Sequence, residues 1–251
     1  MHIHYVIHNR YNDVLEQKPF LEHLCMEFDS VGEVVFQNKR NVIRKVVAPN
    51  GETLAVKRFN TRAGIKLLGL FGKISKARQA YENALLLERN GIATPTPIAY
   101  VEIKEGKVLQ ASFYLSLFTP DTSISPLLER DTPEPKAVDA FAALLARMHE
   151  HAIIHHDTNL SNVLYHEEGG QYMLSLIDIN RLRQQSPTIR NISDDLMRFT
   201  GRLNLFIAVL YRYAQLRHID NIEAFVRMMT QRKIAHDAQW TRRKRFLRFF
   251  K

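Results

Sequence analysis

Only one cysteine, Cys25, occurs in the 251 residues. No intramolecular disulfide is therefore available to brace the fold, and a lone thiol of this kind is ordinarily a small buried hydrophobe. Long apolar runs are also missing, none approaching the ~20 residues that a membrane-spanning helix requires. The opening Met1-His2-Ile3-His4-Tyr5 lacks the basic region, apolar stretch and small-residue cleavage site of a secretory signal, so the expected location is the cytoplasm. Negative charge is in deficit: 26 Asp and Glu stand against 35 Lys and Arg, leaving +9 with histidines neutral. Much of that excess lies near the C-terminal end. An anionic partner is implied, and nucleic acid, acidic lipid surfaces and phosphorylated glycolipids all meet the electrostatic condition.

What is present is the composition of a soluble globular protein, 45% hydrophobic and 24% charged, long enough for one large domain or two small lobes sharing a cleft. Residues 1–28 alternate apolar positions at Ile3, Tyr5 and Ile7 and continue through a helical stretch at Phe20-Leu21-Glu22-His23-Leu24. They are expected to pack as an extension on the unit that follows. Three short strands are predicted over 33–37, 42–48 and 53–59, with an Asn50-Gly51 hairpin signal in the second turn. The first turn, Asn38-Lys39-Arg40-Asn41, contains no glycine. A basic, partly apolar stretch from Arg62 to Lys76 leads into a helix over about 75–90, for which Ser75 is a suitable cap and Gly91 a stop.

Two more strands, over 98–103 and 108–117, precede a break at Phe118-Thr119-Pro120-Asp121. Beyond it helices dominate: a short one at 125–130, a long one at 135–151 with Ala140, Phe141, Leu144, Leu145 and Met148 as its core face, and helical character from Leu203 onward. The fold class expected is α+β in two lobes. Residues 29–118 would form an antiparallel-sheet lobe and 119–251 a helical one, with the hinge near residue 118. The C-terminal Arg242-to-Lys251 segment interleaves six Lys and Arg with Phe246, Leu247, Phe249 and Phe250, a pattern that suits an anionic membrane surface and equally a basic helix packed on the core.

The chemistry-bearing stretch is His155-His156-Asp157-Thr158-Asn159-Leu160-Ser161-Asn162, between a helix-like run and the strand-like Val163-Leu164-Tyr165. Phosphoryl transfer needs such a loop, because a carboxylate must orient the attacking hydroxyl while a nearby amide oxygen holds a magnesium ion. Asp157 and Asn162 have those chemistries. Upstream, Leu54-Ala55-Val56-Lys57 reads as a strand ending in lysine; downstream, Leu174-Ser175-Leu176-Ile177-Asp178 reads as a strand ending in aspartate. Lysine, then Asp with Asn five later, then Asp after another strand, is the order of the protein-kinase fold. Lys57, Asp157, Asn162 and Asp178 are thus expected to line one cleft. A helical carboxylate should pair with Lys57; Glu82, mid-helix, is preferred over Glu88 near the frayed end.

With Ala55-Val56-Lys57-Arg58-Phe59, Ser75-Lys76-Ala77-Arg78, Gly91-Ile92-Ala93-Thr94-Pro95 and Asp178-Ile179-Asn180-Arg181, the chain resembles the small bacterial kinase-like family that phosphorylates lipopolysaccharide inner-core sugars, the Kdo and heptose kinases. The resemblance runs from about Gly32 to Arg198. It implies ATP and Mg2+ as cofactors, Lys57 on the nucleotide phosphates, Glu82 on Lys57, Asp157 as catalytic base, and Asn162 with Asp178 as metal ligands. It further implies a lipopolysaccharide or lipid A-core acceptor, a place at the periphery of the inner membrane, and no nucleic-acid partner. Asp178 is followed by Ile179-Asn180 in place of Phe-Gly, the first hairpin lacks glycine, and no Ala-Pro-Glu follows. The last absence disfavours a peptide acceptor. A kinase with a protein or soluble small-molecule acceptor is the runner-up, and a kinase-shaped scaffold without chemistry is the alternative from another class; the intact Lys57, Asp157, Asn162 and Asp178 count against the scaffold.

Overall fold

The computed structural model describes residues 1–11, 18–60 and 74–248, without the side chains of 18 and 244–248. Residues 62–73 of the basic stretch lie outside the described residues, as do Phe249 and Phe250 and the side chains of Phe246 and Leu247. The chain divides into two compact units. One comprises Met1–Pro120 and the four residues Asp178–Arg181; the other comprises Asp121–Ile177 and Leu182–Lys251.

The first unit is built on a six-stranded antiparallel sheet. Its strands are β1 (His2–Ile7), β2 (Glu33–Gln37), β3 (Asn41–Val47), β4 (Thr53–Phe59), β5 (Pro97–Glu105) and β6 (Val108–Leu117), in the order β1-β5-β6-β4-β3-β2. Residues facing each other across an antiparallel pair share a face. Val56 opposite Leu115, and Val101 opposite Phe113, therefore make one apolar face. Helix α1 (Lys18–Met26) covers it: Leu21, Leu24, Cys25 and Phe28 recur at helical spacing and are buried against the sheet. Ile3, Tyr5 and Ile7 of β1 pack partly against the same core, which is why the N-terminal alternation specifies an edge strand.

Lys57, Tyr114 and Tyr100 lie opposite one another on the other face. Helix α2 (Lys76–Arg89) packs there through Ala77, Ala80, Tyr81, Ala84 and Leu87, with the Tyr81 and Tyr100 rings 5.4 Å apart. Ser75 caps it, its hydroxyl accepting from Arg78 N at 3.1 Å. Gly91 ends it with φ +60, as Gly91 N donates to Glu88 O and Ile92 N to Leu87 O. The glycine-free turn between β2 and β3 is closed by Asn38, whose side-chain oxygen accepts from both Arg40 N and Asn41 N at 2.8 Å.

In the second unit, α4 (Pro135–Glu150) buries Phe141, Leu145 and Met148 and packs with α6 (Leu203–Leu216), which in turn packs with α7 (Ile222–Arg248). Phe199 stacks between Phe141 and Phe206, with ring centroids 5.3 and 5.8 Å away. Shorter helices are α3 (Ser125–Leu128) and α5 (Ile189–Leu196). Two small antiparallel ladders complete it. One joins β7 (Thr122–Ser123), β9 (Val163–Glu168) and β10 (Gln171–Leu176); the other joins β8 (Ile153–Ile154) and β11 (Arg183–Gln184). The helical stretch expected from Leu203 is interrupted after Leu216, where His218 adopts φ +50. Mixed helix and antiparallel sheet make this an α+β fold.

Candidate active site

In the first unit, β4 ends its apolar alternation at Lys57, on the α2 side of the sheet, and the Lys57 ammonium meets the Asp178 carboxylate at 2.7 Å. Both side chains are only partly exposed, 14% and 34%. Lys57 also lies 5.1 Å from the Phe59 ring centroid. Asp178 has φ +55, a region that L-residues occupy sparingly. The short 3-10 turn Ile179–Arg181 that follows is held to α2 by Asn83, which donates to Ile179 O at 2.7 Å.

Glu82 is not at Lys57. It pairs with Arg78 at 2.7 Å, one turn back on α2, with 45% of its side chain exposed. The physical reason is helical phase: the inward positions are 77, 80, 81, 84 and 87, and at about 100° per residue position 82 turns away from them. Firmness of hold along the helix, the basis on which Glu82 was preferred, does not decide which face a residue occupies. Glu88 does turn inward but sits about 18 Å along the helix from Lys76, where His8 Nε2 lies 3.7 Å from it. Position 83 looks toward the Asp178 turn, and the polar side chain it supplies is an amide.

Positive charge accumulates around Lys76, at the start of α2. Burial lowers the Lys76 ammonium below its usual range, and the nearby Arg181, Arg40 and Lys57 push it the same way while Asp178 opposes them. Three cations, and Asp178, within Coulombic reach of the Lys76 ammonium form a setting for a polyanion. Lys76 and Arg181 stand in stretches that carry the resemblance without a role assigned to either, and Arg40, of the glycine-free turn, also acts on Lys76.

In the second unit, the loop after β8 carries Asp157 and Asn162. Asn162 donates its side-chain NH2 to Asp157 O at 2.9 Å, which leaves the amide oxygen for another partner. Ile177 N donates to Asn162 O at 2.9 Å, tying the loop to the end of β10. His156 takes φ +61 immediately before Asp157. That conformation is maintained by Asp195 of α5, a fully buried carboxylate that accepts from His156 N at 2.7 Å, His155 N at 3.2 Å, Thr158 Oγ1 at 2.7 Å and His149 Nε2 at 3.2 Å. Burial alone would raise the Asp195 carboxyl, but the hydrogen bonds and charge supplied by His149, with Thr158 and His155, outweigh it and hold the group below its usual value. His149 is oriented from its other side by Tyr213, Nδ1 to hydroxyl 2.9 Å, a phenol that burial pushes up to about 12. The signal for Asp195 was an acid between the apolar positions Ile192 and Leu196 on the inner face of a helix.

Asp178 in the first unit and the Asn162 amide oxygen in the second are each a hard oxygen donor of the kind magnesium takes, usually with substrate phosphates completing its shell. Among the described residues no group of three or more His, Cys, Asp or Glu side chains makes a protein-only metal cage. In the first unit the Asp178 carboxylate and the cations about Lys76 are chemistry that fits a magnesium nucleotide.

A sequence profile described as "Lipopolysaccharide kinase (Kdo/WaaP) family" matches residues 62–240. No curated protein matches the sequence. Among solved structures, WaaP in complex with acyl carrier protein superposes with a TM-score of 0.63 at 21% identity, over 92% of this chain and 97% of that one. The Rio2 kinase of Chaetomium thermophilum, as an ADP/Mg2+-phosphoaspartate complex, gives 0.51 at 15% identity over 88% and 67%. At such identities the likeness shows the fold, which is protein-kinase-like. The profile, which spans most of the chain including α2 and the loop of Asp157 and Asn162, carries the assignment further: the chain belongs to the lipopolysaccharide kinase (Kdo/WaaP) family and is an ATP-dependent kinase.

Proposed function

We propose that this kinase transfers the terminal phosphoryl group of ATP to a hydroxyl of an inner-core sugar of lipopolysaccharide, Kdo or heptose, and that Lys57, Asp178, Asp157 and Asn162 serve one reaction. The observation that supports this most is the hydrogen-bonded loop around Asp157, whose half-buried carboxylate stands between a backbone fixed by Asp195 and the tethered Asn162. Asp157 would orient the acceptor hydroxyl and take its proton as the new O–P bond forms and the bond to the β-phosphate oxygen breaks, releasing ADP. Lys57 would bind nucleotide phosphate oxygens, exchanging its present contact with Asp178 for them. Asp178 and the Asn162 amide oxygen would hold Mg2+, which supplies positive charge against the charge developing on the phosphates. Glu82 has no part in this arrangement.

The acceptor is anionic and lipid-linked, which the +9 charge of the chain suits. No helix of the described residues is long and apolar enough to cross a membrane. An anionic membrane surface is the proposed place of work, approached through the basic C-terminal end, where side chains from Ile234 to Arg243 of α7 are exposed. The deciding experiment is transfer of labelled phosphate from ATP to purified rough lipopolysaccharides ending at Kdo or at heptose, followed by mass spectrometry of the core. Gain of one phosphate on a core sugar, lost with Asp157→Ala, is the expected result. Labelling of protein or of free sugars only would reject a lipopolysaccharide acceptor.

A further inference from the structure

The segment from Asp195 to Thr200, which joins α5 to α6, is fastened to the Asp157 loop at both ends. At one end the Asp195 carboxylate accepts the backbone N–H groups of His155 and His156, and Asp195 O accepts from Thr158 Oγ1 at 3.0 Å. At the other, Thr200 Oγ1 donates to Asn159 Oδ1 at 2.6 Å, and Asn159 N donates to Asp157 O at 2.7 Å. Between the two fastenings Met197 and Phe199 are buried, 5% and 1% exposed. The backbone is gripped further by Lys233 of α7, which donates to Met197 O at 3.2 Å, and by Arg198 N, which donates to Asp195 O at 3.0 Å. Between those two buried side chains, Arg198 is the residue left in solvent.

Some arginines of this chain are neutralised by acids, Arg202 at the surface and Arg58, Arg78 and Arg212 at half-exposed positions. Arg58 pairs with Asp29, Arg78 with Glu82, Arg212 with Asp139, and Arg202, four residues beyond Arg198, with Asp131. Among the described residues Arg198 forms no ion pair and no side-chain hydrogen bond, although Asp194 lies one turn before it. A guanidinium is a planar fork of donors that matches the oxygens of a phosphate or carboxylate two at a time. Here such a fork is carried by a backbone segment hydrogen-bonded to the residues on either side of Asp157.

We propose that Arg198 is an acceptor-binding residue: it takes an anionic group, phosphate or carboxylate, carried by the acceptor close to the hydroxyl that is phosphorylated. This rests on the reading of Asp157 as the group that meets the acceptor hydroxyl, and it adds what selects the acceptor. A charged surface residue without this role would contribute only to general attraction, which is lost evenly for every anionic acceptor and restored by lysine. A fork contact is specific to the group it grips and is restored by lysine only in part.

The test uses the full chain as wild type, Arg198→Ala, Arg198→Lys and Asp157→Ala, with three acceptors: intact rough lipopolysaccharide, the same material dephosphorylated, and the same material with its carboxyl groups reduced. Arg198→Ala is expected to lower kcat/KM for the intact acceptor by about 10- to 100-fold, the factor for one set of charge-assisted hydrogen bonds, mainly through KM for the acceptor, with KM for ATP unmoved and Arg198→Lys in between. The loss should vanish on the dephosphorylated acceptor if the group is a phosphate, and on the reduced acceptor if it is a carboxylate. Wild-type kinetics of Arg198→Ala on intact acceptor, an equal loss on all three acceptors, or a parallel rise in KM for ATP would each overturn the assignment. Full turnover in Asp157→Ala would instead bring down the reading of Asp157 itself.

Discussion

Replacing Asp195 tests how the loop that carries Asp157 is held. The carboxylate accepts four donors in a site without solvent. Asp195→Ala leaves His155 N, His156 N, Thr158 Oγ1 and His149 without their acceptor, and breaking a buried charged network in this way costs about 3–5 kcal/mol. Total stabilities are about 5–15 kcal/mol, so the alanine variant should be folded but lowered in Tm by about 6–20 °C, at about 2–4 °C per kcal/mol for a chain of this length. Asp195→Asn separates charge from shape. It keeps one acceptor oxygen and presents an NH2 to donors, costing about 1–3 kcal/mol, and the loop shift it causes should lower kcat by about 100-fold, as ångström-scale misplacement does. Because the folded carboxyl lies below its ordinary value, its contribution is complete above the unfolded value of about 3.9 and drains away as pH falls through the lower folded value. Urea unfolding of wild type and Asp195→Asn should therefore show a full gap at pH 7 that narrows in acid below about pH 4. A variant with wild-type stability and wild-type kcat at pH 7 would refute the proposal that Asp195 sets the loop.

Asp157→Ala should reduce phosphate transfer by about 10²- to 10⁴-fold while nucleotide titration gives nearly the wild-type affinity; full turnover would remove Asp157 from catalysis. Asp178→Ala should act on the other parameter, weakening binding of the magnesium nucleotide in a calorimetric titration, and unchanged affinity would take Asp178 out of the metal site. Cys25 lies in the α1 core, and burial pushes its thiol up to about 12, so at pH 8 only about one part in 10⁴ is thiolate; alkylation should await unfolding, and prompt labelling of native protein would contradict the packing of α1. Removing residues 242–251 should lower co-sedimentation with anionic vesicles, the more so at low salt where screening is weak. Equal binding by both forms would reject the membrane role, and loss of folding would assign the segment to the core.

The boundaries of β2, β4 and β6 were legible because each is a short run of alternating or β-branched residues bounded by Asn, Gly and Pro turns, and the cap and stop of α2 because Ser75 and Gly91 carry specific backbone chemistry. Lys57 and Asp178 could be picked out as strand-terminal charges, and they meet. The partner on α2 could not be chosen by distance from the helix end; the alanine-rich inner face at 77, 80 and 84 held the answer, by excluding 82. Asp195 went unread because nothing in a one-dimensional pattern links it to a loop some 40 residues earlier; only its placement among apolar neighbours hinted that a partner must exist. The two-residue strands β7, β8 and β11 are too short to have a period, and tertiary pairing alone creates them.

The assignment of Asp178–Arg181 to the first unit, while the residues on both sides belong to the second, sets an order of events at the ribosome. The sheet, α1 and α2 are synthesised first, yet Lys57 lacks its acid and Asn83 its carbonyl until the 57 residues Asp121–Ile177 have been added. At about 5–20 residues per second that interval is about 3–11 s. Throughout it Lys57, Lys76 and Arg40 of the sheet unit lack the Asp178 carboxylate. Nucleotide, abundant and polyanionic, is the natural counterion for that stage, so the nascent chain should withstand proteolysis better in its presence well before the last helices exist.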